Sequence, residues 1–421
     1  MVYDLIVVGG GAAGFFTAIQ TAEQAEQLGL EPLNILILEK TAQVLGKVKI
    51  SGGGRCNVTH ACFEPRELIK HYPRGEKTLM GAFHQFQPQD MIDWLDSHHV
   101  ETKTEADGRM FPVSDDSQTI IRALMNAAKF HHIEVQIKHG VDWVEALEQG
   151  QEDEARFQLF TAREETLRTK NLMLATGGTR LAAGAKLAEQ LGYELIEAVP
   201  SLFTFNISDR RIHDLPGLSA DNVTVKVLNQ KLEATGPLLI THWGMSGPAI
   251  LKLSAWGARA LAELDYQFNI QIDWVPARSE EQLRQEFKRQ HSAHGKRFIC
   301  KRSVFSELPR RLWEKLVEAA GITEDDTWAQ LSKAQLQELI KQLKQGQFRA
   351  NGKSINKDEF VTCGGVQLKD INPKTCESKQ HQGLYFSGEV LDIDGITGGF
   401  NFQNAWTGAH LAAKAIANGS I

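Results

Sequence analysis

Cysteine is scarce in this sequence. There are five, Cys56, Cys62, Cys300, Cys363 and Cys376, and none forms a CxxC pair. An odd, dispersed set of this kind argues for neither a disulfide framework nor a structural zinc site, and no metal is expected. Long apolar runs are also missing, since none approaches the roughly 20 residues needed to cross a bilayer. After "MVYD" the run "LIVV" passes directly into glycines, with no basic leader or cleavage site. The expectation is a cytoplasmic protein without a membrane partner. Positive charge is in deficit as well: the formal net charge is −6, which argues against a general affinity for nucleic acid or anionic lipid. No nucleic-acid partner is therefore expected. One stretch departs from this balance, "KRQHSAHGKRFICKRS" from Lys288 to Ser303. It reads first as a solvated helical face, and second as an anion or partner site.

What is present is the composition of a soluble globular protein, 42% hydrophobic and 23% charged over 421 residues, enough for two or three domains. "YDLIVVGGGAAGFFTAIQTAEQ" begins as a short apolar strand, Leu5 to Val8, turns through glycines and continues as an Ala-rich helix from about Ala12. Gly9, Gly11 and Gly14 fit G-x-G-x-x-G. Between a strand and a helix that pattern has a mechanism. The first glycine permits the tight turn, the second lets a pyrophosphate approach the backbone, and the third lets helix and strand close up. Ala12 and Ala13 then open the helix whose N-terminus faces the phosphates. "LNILILEK" supplies a second strand, Leu33 to Leu38, with Glu39 at its end to hold a ribose hydroxyl. An acid there favours a cofactor with a free 2′-hydroxyl, FAD or NAD rather than NADP.

After Glu39 the chain reads "KTAQVLGKVKISGGGRCNVTH", and three further segments stand out: "LMLATGG" (Leu172–Gly178), "GPLLITHWGMSGPAIL" (Gly236–Leu251), and "TCGGVQLKD" onward from Thr362 through "GEVLDIDGITGGFNFQNAW". On these motifs the chain resembles the BaiN-like bacterial NAD(P)/FAD-dependent oxidoreductases over nearly its whole length. The resemblance implies an α/β fold: a Rossmann-like FAD-binding domain of the two-dinucleotide-fold type, carrying an inserted β-barrel-like and small helical domain. It also implies that the glycine loop Ser51, Gly52, Gly53, Gly54, Arg55, Cys56 and Asn57 lies against the isoalloxazine ring. Glycine is the residue expected where a flat ligand meets the main chain. By the same resemblance Lys40, Lys47, Ala175, Thr176 and Gly177 border the cofactor. So do Gly388, Glu389, Asp392, Gly398, Gly399, Phe400 and Asn401. Cofactor-holding segments at both ends of the chain suit FAD better than NAD.

The chain departs from that family after "ATGG", where "GGTRLAAGAKLAEQLGY" is shorter and more helical, and at Phe400 and Asn404, where relatives often carry Tyr and Trp. No second G-x-G-x-x-G follows a strand, so NADH or NADPH, if used, visits transiently at a site without that signature. "IEVQIKH", "DWVEALEQ" and "RFQLFTAR" alternate as strands, and "SDDSQTIIRALMNAAKF" reads as a helix capped by Ser114 or Asp115. "GLYFSGEVLD" reads as a strand over Leu384–Ser387. From about Pro200 the pattern turns to alternating strands and then to three amphipathic helices. The expected division is a first FAD-binding part over 1–197, an insert over 198–354 and a second FAD-binding part over 355–421. Within the insert, 198–276 is β-rich and 277–350 helical. Such an insert would roof the flavin and shape a substrate cleft.

His242 in "THWGMSGP" is the candidate substrate-side acid, since a histidine exchanges protons near neutral pH, with a structural role as the alternative. Arg55 either polarises a substrate carbonyl or braces the loop, and Cys56 is expected to pack. The resemblance implies an FAD-dependent oxidoreductase, with NAD(P)H-linked reduction of an activated C=C bond in a small molecule as its leading activity. An aminoacetone-type oxidase is the alternative. A flavoprotein acting on RNA, motivated by the Lys288–Ser303 stretch, is a reading from another class.

Overall fold

The computed structural model describes residues 2–148, 154–178, 183–354 and 361–419. The chain forms two compact units, Met1–Ser201 with Lys357–Ile421, and Leu202–Asn356. The expected return at 355 falls on residues outside the described ones.

The first unit is organised by a sheet whose middle is the strand β1 (Val2–Val8). It pairs in parallel with β2 (Ile35–Glu39) on one side and with Thr166–Leu174 on the other. "LIVV" and "ILIL" are unbroken apolar runs because both sheet faces are covered, and all eight residues are buried. Glu134–Ile137 extends the sheet beyond β2, while Leu384–Phe386 pairs in parallel with Leu172–Leu174. The strands Val141–Ala146 and Phe157–Thr161 add an antiparallel edge to the first half of Thr166–Leu174. On one face the helix α1 (Ala12–Gln27) lies against the C-terminal helix Phe400–Asn418. The small residues Ala18, Ala409, Ala412 and Ala413 are buried there, while Phe16 packs edge-on against Trp406 at 5.4 Å.

Two local readings need correction. The helix Ser117–Phe130 is capped by Asp116, whose carboxylate accepts from Gln118 N–H, and not by Ser114 or Asp115. Asp115 instead has φ +52° and its side chain bridges Lys103 and Arg55. The C-terminal strand stops at Phe386, because Gly388–Val390 winds into a 3₁₀ turn. The departing segment after "ATGG" is helical over Ala183–Gln190, and residues 179–182 lie outside the described ones.

The second unit carries its own core. Its antiparallel strands run in the order Gly346–Asn351, Gln267–Asp273, Ser219–Val227, Leu232–Ile240, Gly244–Ser246, Thr204–Asn206 and Lys353–Ser354. The first and last of these are one stretch of chain, kinked at Gly352 with φ +114°, so the sheet closes on itself. The Gly346–Asn351 strand was not anticipated, although Phe348 and Ala350 alternate inward. The expected helices appear as Glu280–His294, Arg310–Ala319 and Lys333–Gln345, the first and third opened by capping boxes from Ser279 and Ser332. Phe287, Trp313, Leu316, Leu339 and Leu343 pack into the same cluster as Val225, Ile270 and Phe348.

Candidate functional site

The strand β1 runs into Gly9 at φ +113°, where a Cβ would stand 2.4 Å from the Ala175 carbonyl oxygen. A Cβ on Gly14 would fall 2.0 Å from Gly9 O, so only hydrogen lets α1 close over the turn. Gly11 differs from both. Nothing lies within 4 Å of its Cβ position, its φ is an ordinary −91°, and as N-cap of α1 it brings no side-chain cap. An open face at an uncapped helix N-terminus suits an anion. The Glu39 carboxylate sits on the rim of this turn, accepting from Gly10 N–H at 2.9 Å and Thr41 N–H at 2.8 Å. Lys40 is exposed next to Gly140. Across the turn, Thr176 Oγ1 is buried without a partner, and Lys47 forms an ion pair with Glu389. The glycine turn, the end of β2, Ala175–Gly178 and Gly388–Glu389 thus gather at the carboxyl edge of the parallel strands, where open α/β sheets place their ligands.

The "SGGGRCN" loop forms a second surface. The Gly46–Gly54 helix breaks at Ser51, which is extended at ψ 149°, and Gly52, Gly53 and Gly54 follow at φ +58°, +70° and +87°. Three consecutive left-handed residues would be costly with side chains. At Gly52 a Cβ would also strike the Phe111 ring at 2.8 Å, whereas at Gly53 and Gly54 nothing lies within 4 Å. The loop therefore turns bare backbone toward open space. That is the surface a flat ring can lie on, and these residues fit FAD.

Its flanks are tied down. The Arg55 guanidinium meets Glu105 at 2.6 Å and Asp115 at 3.4 Å, and lies 4.0 Å from the Phe111 ring centroid. Those contacts make Arg55 a brace of the loop. Asn57 donates its amide to the carbonyls of Met110 and Thr59 and accepts from Gly399 N–H at 2.9 Å. Thr59 Oγ1 donates to Gln403 Oε1 and Trp406 Nε1 donates to Val58 O, so the loop is clamped to the C-terminal helix. Gly399, at φ +91°, is forced to be glycine by Thr59 O, which would be 2.5 Å from a Cβ. Phe400 is buried and stacks with His60 and His71 at 4.7 and 4.2 Å. Asn401 closes the preceding turn by pairing with Gly395 N–H and O. Asp392 is buried, and its neighbour Asp394 is fully buried in an ion pair with Arg74, with Ser201 Oγ donating at 2.6 Å.

Burial pushes the Cys56 thiol up to about 12, with a hydrogen bond from Ser51 opposing it weakly. A thiol so protonated is a poor nucleophile. Alkylation of native protein with iodoacetamide at pH 8, mapped by mass spectrometry, is expected to spare Cys56, Cys363 and Cys376, all buried, while Cys62 and Cys300 react. Rapid native labelling of Cys56 would refute this.

Most of the expected cofactor residues come together in the first unit. His242 does not belong to that unit. It lies exposed on the turn between Leu232–Ile240 and Gly244–Ser246 of the second. Sequence reasoning missed Arg74, Asp394, His60 and His71, which border the glycine loop and the Gly398–Asn401 turn. "VTH" directly after the loop was the one local signal, and it pointed only to His60.

Comparison with known proteins agrees with this geometry. Over 419 residues the chain is 29% identical to the ribosomal RNA dihydrouridine synthase of Haemophilus influenzae, covering 98% of each protein. It is 27% identical over 419 residues to the 3-dehydro-bile acid delta(4,6)-reductase of Clostridium scindens, again covering 98% of each. The open conformation of a flavocytochrome c3 fumarate reductase superposes with a TM-score of 0.52 at 15% identity, covering all of this chain and 79% of that one. Residues 3–415 match the family described as HI0933-like protein Rossmann domain. The chain therefore belongs to the HI0933-like Rossmann-domain family and is an FAD-dependent flavoprotein oxidoreductase.

Proposed function

We propose that this oxidoreductase reduces a carbon–carbon double bond conjugated to a carbonyl, using NADH or NADPH as electron source. The observation that carries the reading is the bare backbone floor at Gly53 and Gly54, open within 4 Å and clamped on both flanks. FAD, when bound, supplies hydride-transfer chemistry through its ring. The chain supplies the rest. Gly11 and the N-terminus of α1 would receive the pyrophosphate, and Glu39 would take a ribose hydroxyl. Ser51 to Asn57 would hold the ring, while Gly388, Glu389 and Asp392 would hold the ribityl chain or the pyrophosphate. The N-terminus of the C-terminal helix, opened by Gly399, Phe400 and Asn401, would stabilise the electron-rich oxygens of the ring. Arg55 positions the loop, in a cytoplasmic setting.

Support for the bond class comes from the names of two relatives. A delta(4,6)-reductase acts on a double-bonded steroid skeleton, and a dihydrouridine synthase saturates the uracil ring, whose C5=C6 bond is conjugated to the C4 carbonyl. A small cyclic enone is the first substrate reading. Uridine within RNA is the second, and the basic Lys288–Ser303 stretch favours it despite the net charge of −6.

The test is anaerobic stopped-flow absorbance of the yellow protein with NADH, then NADPH. Bleaching of the flavin band within seconds is expected, followed by reoxidation on adding a cyclic enone or unmodified RNA. No bleaching with either nucleotide would overturn the pyridine-nucleotide half of the reading and direct the search to amine donors.

A further inference from the structure

The basic stretch of the second unit is folded surface, and its charge is unspent. Six Lys and Arg residues and no acid occur between Lys288 and Ser303, in a chain whose other residues net −12. Arg289 is held by Glu286 at 2.7 Å. Among the described residues Lys288, Lys296, Arg297, Lys301 and Arg302 are exposed and have no ion pair. The backbone between Lys296 and Cys300 is nevertheless fixed in place. Ile299, between them, is fully buried, donates its N–H to Asp326 O and accepts from the indole of Trp313 at 2.9 Å. Arg297 O accepts from Trp328 N–H, and Phe298 bridges to Thr327 with its ring 44% exposed. Among the described residues Glu324, Asp325 and Asp326 of that neighbouring segment form no ion pair with these cations, and the Asp326 carboxylate caps Thr323 N–H at 2.7 Å.

We propose that this surface binds the phosphate backbone of a folded RNA, with Lys288, Lys296, Arg297, Lys301 and Arg302 contacting phosphates and Phe298 offering a ring to an unpaired base. Unpaired cations on an ordered backbone, interleaved with an exposed aromatic, are what a polyphosphate chain needs, and a compact small-molecule substrate has no use for them. The proposal rests on the uridine reading given above, since an enzyme acting on a base within RNA must hold the surrounding strand.

The test is filter binding of ribosomal RNA transcribed in vitro, and so unmodified, to the flavin-loaded protein between 50 and 200 mM salt. Wild-type protein is expected to retain the RNA with an affinity falling steeply with salt. The variant Lys296→Gln/Arg297→Gln/Lys301→Gln/Arg302→Gln should bind at least about 30-fold more weakly, with the log–log salt slope shallower by about 3. Lys129→Gln/Lys186→Gln in the first unit should leave both unchanged. Unaltered flavin content and melting temperature verify that each variant is folded. The proposal falls if wild-type protein does not retain RNA at 50 mM salt, if the quadruple variant keeps the wild-type slope, or if polyglutamate competes as well as RNA. The two readings fail separately. Enone turnover without RNA retention removes this surface and leaves the reductase, while RNA retention by a flavin that neither nucleotide bleaches does the reverse.

Discussion

Gly11→Val yields a folded, colourless protein. The position has φ −91° and ψ −169°, which valine adopts readily, and no atom lies within 4 Å of the new Cβ. The cost to the polypeptide is confined to a poorer N-cap, at most about 1 kcal/mol. The side chain nevertheless projects into the space that the pyrophosphate would occupy, so FAD affinity should fall by at least about 100-fold, or about 2.7 kcal/mol. Titration of apoprotein with FAD by fluorescence quenching reads the affinity, and the melting temperature of the flavin-free protein should move by no more than a few degrees. A yellow Gly11→Val protein would remove the glycine turn from the cofactor site. Gly14→Val is the contrast: its Cβ meets Gly9 O at 2.0 Å, so it should damage the fold before any ligand is added.

The second large effect is expected at Arg74. Asp394 is fully buried and Arg74 nearly so, and the carboxylate is further held by Ser201. Arg74→Ala leaves that carboxylate without its counter-charge and should cost about 3–5 kcal/mol in urea unfolding. The loss should depend on pH. Burial raises the Asp394 carboxyl above its ordinary range even with Arg74 opposing it. The unfolded chain therefore gives up this proton first, so the group costs stability as pH rises toward its folded value and costs nothing below its unfolded one. Without Arg74 the carboxyl moves further up, so the variant's deficit should be larger at pH 8 than at pH 5. Adding Asp394→Asn should recover part of it at pH 8. Equal deficits at both pH values would mean that the pair acts through packing alone.

The glycine turn and the barrel strands were legible because their causes are local. Gly9, Gly11 and Gly14 stand between an apolar strand and an Ala-rich helix, and alternation over "NVTVKV" reports one buried face. The cap of the Ser117–Phe130 helix was misplaced because "SDDS" offers four successive residues able to cap, and Asp115 is drawn away by Lys103 and Arg55. The Gly346–Asn351 strand was absorbed into the preceding helix, whose Leu339 and Leu343 pattern runs straight into "GQFRAN". Arg74 with Asp394, and His60 with Phe400, are hundreds of positions apart, and nothing local to either partner announces the other. His242 has the right chemistry in the sequence, and the expected insert over 198–354 already sets it apart from the glycine loops of 1–197.

The first unit is discontinuous: Leu384–Phe386 completes its sheet, and the helix Phe400–Asn418 covers α1 and clamps the glycine loop. On the ribosome these elements are made after the whole second unit. With translation at about 5–20 residues per second, the whole Leu202–Asn356 unit emerges during roughly 8–30 s in which the nascent sheet lacks the Leu384–Phe386 strand and the helix that covers α1. The second unit, contiguous and with a separate core, can fold in that interval. Flavin capture then waits until the chain has been translated through Asn418, and yellow colour reports that this point has been passed.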